Sequence, residues 1–216
     1  MNVDLEWKGV CFVCCSIAVI SCFLFFFLGF CSCLGILDES IIDKWLSVIK
    51  DRYSEPWRSY HSLTHVDALL KEFSLVKHSL ASPSAVLAAI FFHDLVYDPK
   101  SKTNEKDSAI LWEQFASEAK LADAELVANV SDFILQTASH MSVDVEKASF
   151  DKLTFLDLDL SILGSSEKDY SAYASQIRQE YAHVEDDAFK AGFVTKRTKK
   201  NHDFNRKCVE KARQSA

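Results

Sequence analysis

The sequence predicts an all-α protein. Three observations carry that reading. There are only 5 Gly and 3 Pro in 216 residues, whereas an all-β chain needs a turn residue about every eight to twelve positions. Apolar side chains recur at helical spacing along most of the chain, and no segment shows the strict alternation of a half-buried strand. The length suits one domain with a sizeable core, and 25% charged with 49% hydrophobic residues excludes a disordered chain.

Taken in order, the first element is the run Val10 to Leu37, which has no charged residue. It exceeds the roughly 20 apolar residues that span a bilayer, so residues 1–37 are expected to form a transmembrane anchor. A targeting peptide or a start codon set too far upstream are the alternatives. Lys44, Lys50 and Arg52 on the far side favour a cytosolic body. So does cysteine usage: Cys11, Cys14, Cys15, Cys22, Cys31 and Cys33 lie in the apolar segment and Cys208 alone lies elsewhere, which excludes a disulfide framework in the body. The clustered cysteines read either as palmitoylation sites or as apolar filler.

Residues 38–194 read as a helical body. SIIDKWLSVIKDRY places Ile41, Ile42, Trp45, Leu46, Ile49 and Tyr53 on one stripe, with Ser40 as its cap. Residues 60–80 repeat the pattern through Leu63, Val66, Leu69, Leu70, Phe73 and Val76. Ser82-Pro83 is a cap followed by a first-turn proline, and AVLAAIFFHDLVY is apolar all round, as a central buried helix is. Further helices are expected at Asn104–Ala119, Asp123–Ser139, Asp151–Leu163 and Ser166 to about Val184.

Charge is uneven. Residues 195–216 form a basic tail of eight Lys/Arg against two acids, while residues 38–194 hold 15 basic and 27 acidic side chains. The tail reads either as a membrane-surface, nucleic-acid or sorting element or as a solvated end. The overall charge of -7 excludes a nucleic-acid binder by net charge, and an acidic body attracts a phosphate-bearing substrate only if a local cation is present.

Histidines and aspartates stand out against this apolar background. His61 and His65 are four apart and share a helix face. His93-Asp94 ends the most buried helix, where an imidazole and a carboxylate are costly without partners. Asp157 and Asp159 interrupt the apolar FLDLDLSILG, and His140 follows ILQTASH. Such ligands suit Mn, Co, Ni, Zn or Fe, and a bound cation makes hydroxide available near neutral pH. The competing reading is a set of hydrogen-bonded core histidines, with the two aspartates paired to Lys152 or Arg178.

The blocks YSEPWRSYHSLTHV, AAIFFHDLVYDP, NEKDSA, ILQTASH, FLDLDLSILG and IRQEY, over residues 40–185 or so, resemble the HD-domain superfamily of metal-dependent phosphohydrolases. The likeness is to its largely uncharacterised branch with a YHxxxH opening. That resemblance implies a helical HD bundle in which His65, His93, Asp94 and one late aspartate hold a divalent transition metal, or Mg. Asp159 is the first choice for the last ligand and Asp157 the second. The opening is also similar to that of cyclic-nucleotide phosphodiesterases, which implies that His61 donates a proton while His65 binds metal; Ser62 stands where that family has asparagine. Within the same pattern Glu105 and His140 are candidates to position water or substrate, and Arg58 is a phosphate contact or a surface ion pair. After IRQEYAHV the arginine-containing closing stretch of the family is missing, and hydrophobic periodicity fades.

The expected function is hydrolysis of a phosphomonoester or phosphodiester of a nucleotide, with no nucleic-acid partner and a membrane contact through residues 10–37. No Gly-rich phosphate loop is present, which argues against nucleoside-triphosphate-driven chemistry. A di-iron oxygenase and a non-catalytic metal-binding or membrane-tethered module are the alternatives.

Overall fold

A computed structural model describes residues 17–197, so the expectations for the first residues of the apolar run and for nearly all of the basic tail lie outside it. Every regular element among the described residues is helical. The helices are α1 (Ile17–Cys33), α2 (Glu39–Tyr53), α3 (Leu63–Val76), α4 (Pro83–Phe92), α5 (Asn104–Glu118), α6 (Ala124–Gln136), α7 (Phe150–Asp159), α8 (Glu167–Glu180) and α9 (Asp186–Arg197). Short 3-10 turns follow α3, α6 and α7.

The hub is α4. Every residue from Ala85 to Phe92 is buried, and α1, α3, α5, α6 and α7 pack around it. A helix that is apolar on all sides needs neighbours on all sides. Its start departs from expectation: Ser82 is the cap residue, but its side chain makes no capping bond. The Asp151 carboxylate at the start of α7 instead accepts from the backbone N–H groups of Ala81 and Ser82, at 3.0 and 2.6 Å. Likewise Asp38, and not Ser40, caps α2.

The transmembrane expectation is overturned. No helix among the described residues is long and apolar enough to cross a membrane. The described part of α1, 17 residues, is about 25 Å long against the roughly 30 Å hydrocarbon core. It stops because Gly35 takes φ +70, a conformation that costs glycine little. The Gly35 N–H then bonds Ser32 O and the Ile36 N–H bonds Cys31 O, a closed helix end that turns Ile36 back into the interior. The apolar face of α1 belongs to the core: Phe23, Phe26, Phe27, Phe30 and Cys31 are buried. The Phe91 ring of α4 sits 5.6, 5.4 and 5.8 Å from those of Phe23, Phe27 and Phe30. Aromatic pairs at such separations contribute about 0.5–1.5 kcal/mol beyond area burial.

The α5–α6 connection ends its helix in the same way, with Lys120 at φ 54 where glycine is the easier residue. The helix α9 was not expected from the sequence. Its weak periodicity hides a local contact, the Phe189 ring lying under the Arg178 guanidinium at 5.0 Å.

Candidate metal centre

The ends of α3, α4 and α7 meet at one point. His65 lies in the first turn of α3 and is 3% exposed; His93 follows the last residue of α4 and is 1% exposed. Asp159 is the final residue of α7. Their ligand atoms lie within 4.8 Å of one another, and this trio could hold a metal ion. His65 Nε2 is 3.3 Å from His93 Nε2 and 3.2 Å from Asp159 Oδ1. The expected ligand Asp94 is not one of the trio; its Oδ2 lies beside it, 3.1 Å from His93 Nε2. Asp157, two residues from Asp159, is not part of it, since alternate positions of that spacing leave a helix on different faces.

The donor set fits a divalent transition metal by its chemistry, two imidazoles with one carboxylate and a second carboxylate alongside. The tautomer of His93 fits too. Its Nδ1 lies 3.2 and 3.1 Å from the carbonyls of Ala89 and Ile90 and donates to them, which leaves the Nε2 lone pair facing the group. The two Nε2 atoms are too close for both rings to carry a proton between them. Burial depresses the pKa of His65, against the pull of Asp159. Burial acts the same way on His93, but Asp94 and Asp159 overcome it and raise His93 well above the usual range. Burial opposes ionisation of Asp94 and Asp159; His93 and His61 hold the first low, and bonds from His140, His65 and His93 hold the second low.

The remaining expected residues take distinct places. His140, in the 3-10 turn after α6, binds the far oxygen of the same carboxylate: His140 Nε2 to Asp159 Oδ2 is 2.7 Å. His61 precedes α3 and so does not share a helix face with His65, as the spacing suggested; the rings are still neighbours at 5.9 Å. His61 Nε2 lies 4.0 Å from Asp94 Oδ2. Glu105 is in the first turn of α5, outside the trio. The ion pair that Arg58 makes is not on the surface. The Arg58 side chain is 0% exposed, and it donates to Glu55 and to the carbonyls of His61, Asp94 and Leu95.

Sequence reasoning missed Glu180. Its carboxylate is fully buried and bonds the His61 Nδ1 at 2.6 Å. It also accepts from the N–H groups of Tyr60 and His61, at 2.7 and 3.0 Å, and from the Tyr97 hydroxyl at 2.7 Å. Burial pushes its pKa up, and the His61 and Tyr97 bonds bring it below the usual value. The available signal was register: Tyr170, Ile177 and Glu180 are the buried residues of α8, so the carboxylate falls on the apolar stripe. Tyr60 and Tyr173 flank the group, with ring centroids 4.6 Å apart and Tyr60 4.9 Å from His65.

No protein-family model, curated protein or solved structure matches this chain.

Proposed function

We propose that the protein is a metal-dependent phosphohydrolase of the HD type, acting on a phosphomonoester or phosphodiester such as a nucleotide. His65, His93, Asp94 and Asp159 would hold one divalent transition metal. The observation that carries this reading is the meeting of the His65, His93 and Asp159 ligand atoms at the ends of α3, α4 and α7, with Asp94 Oδ2 beside His93. Such a cation, when bound, lowers the pKa of water toward neutrality and polarises a phosphoryl oxygen.

The chain's own residues supply the rest. His140 holds Asp159 by one oxygen and so aims the other at the imidazoles. Glu180 accepts the Nδ1–H of His61, which leaves Nε2 as the nitrogen facing the cluster. A proton there is placed to pass to a leaving alkoxide, work that a histidine does with a rate gain of about 10²–10⁴. The half-buried Tyr60 ring and the buried Tyr97 ring pack against the proton donor, 5.0 and 4.3 Å from its ring.

The test is metal quantification on the purified chain together with hydrolysis of bis(p-nitrophenyl) phosphate, p-nitrophenyl phosphate and a nucleotide panel. The expected result is near-stoichiometric Mn, Co, Ni, Zn or Fe and turnover that His93→Ala and Asp159→Asn both abolish along with the metal. Full turnover in either variant refutes the assignment. Two irons with oxygen uptake and no ester hydrolysis would replace it with an oxygenase.

A further inference from the structure

We propose that Arg58 is a positioning residue that sets the distance between His61 and the metal-binding turn; this rests on the role proposed for His61. The guanidinium lies between the rings of Tyr53 and Tyr97, 5.2 and 5.4 Å from their centroids. Its Nη1 donates to His61 O at 3.1 Å and to Asp94 O at 2.7 Å, and its Nη2 to Leu95 O at 3.1 Å. Its Nε is held by Glu55 Oε2 at 3.0 Å. One planar cation thus ties the backbone of the proton donor to the backbone of the ligand turn.

Arginine is the residue that can do this. It has five N–H donors in a rigid fork and keeps its charge when buried. The carbonyls of residues 94 and 95 also follow the end of α4, where the helix dipole favours a cation. Glu180 fixes the rotation of the His61 ring by its bond to Nδ1, and Arg58 fixes how far the ring stands from Asp94, 4.0 Å in this structure. The two constraints act on different coordinates, so neither replaces the other.

The test uses the full chain labelled with ¹⁵N-histidine, carrying Arg58→Lys or Glu55→Gln. Side-chain nitrogen resonances are recorded with and without Zn²⁺, and kcat and KM are measured on bis(p-nitrophenyl) phosphate. A lysine keeps the charge but cannot reach three carbonyls in one plane. In Arg58→Lys the His61 resonances should move while those of His140 stay. Zinc content should hold within about twofold, and kcat should fall about 10- to 100-fold with KM within about threefold, as a misplacement near 1 Å does. If the lysine variant does not fold, Glu55→Gln decides, with a smaller shift of the same resonances. Unmoved His61 resonances in the folded variant overturn the proposal, and so does a raised KM with unchanged kcat, the mark of a phosphate contact. Should the wild type hydrolyse no ester, the proposed function fails and the resonances alone judge Arg58.

Discussion

His93 ends its helix with both ring nitrogens committed. One nitrogen satisfies carbonyls of the last turn of α4, and the other faces His65, Asp94 and Asp159. Helix ends are where backbone groups lack partners, so a side chain placed there is oriented by the helix itself. His61 has no helix to orient it and depends on Glu180. Glu180→Gln keeps the size and removes the charge-assisted bond, which contributes about 1.5–3 kcal/mol when made to a charged group. The expected outcome is a loss of about 10-fold or more in kcat with metal content unchanged, read by turnover and metal analysis on one preparation. Loss of metal in this variant would make Glu180 part of the ligand support.

At the scale of elements, α1 is the informative case. Its composition suits a lipid environment as well as a protein core, because both solvents are apolar. What separates them is the closed end at Gly35 and the burial of Phe23, Phe27 and Phe30 against Phe91. Phe27 is 0% exposed, so Phe27→Ala should lower stability by about 3–5 kcal/mol, the usual cost of emptying such a site. Urea unfolding of the full chain checks this. A change under about 1 kcal/mol would show that α1 does not belong to the folded core.

The whole molecule is also held by contacts distant in sequence. Glu118 at the end of α5 bonds Lys44 and the Trp45 indole of α2, at 2.7 and 2.8 Å. Bonds from Lys44, Gln114 and Trp45 hold its pKa down at about 2, against an ordinary 4.5. Between those values the unfolded chain binds the proton and the folded one does not, so stability rises with pH there. The contribution is complete above pH 4.5 and disappears as pH falls through about 2. Glu118→Gln should flatten that part of the stability–pH curve, as thermal unfolding across the acid range will show; an unchanged slope assigns the dependence to other carboxylates.

Much of the molecule is determined by the sequence alone. Local physics settles the helices, since spacing, caps and turn residues act within a few positions: Asp123 and Ser166 cap α6 and α8, and Ser82-Pro83 opens α4. Paired histidines and aspartates on apolar helices marked His65, His93 and Asp159 as odd, because an unpartnered polar group there is costly. Tertiary structure alone decided whether an apolar helix lies in lipid or in the core, and which of Asp157 and Asp159 faces the imidazoles. It also decided that Arg58 holds backbone and that Glu180 holds His61. Those outcomes turn on contacts between residues as far apart as 119 positions. Sequence spacing carries no information about such distances, since it is the packing of one helix on another that sets them.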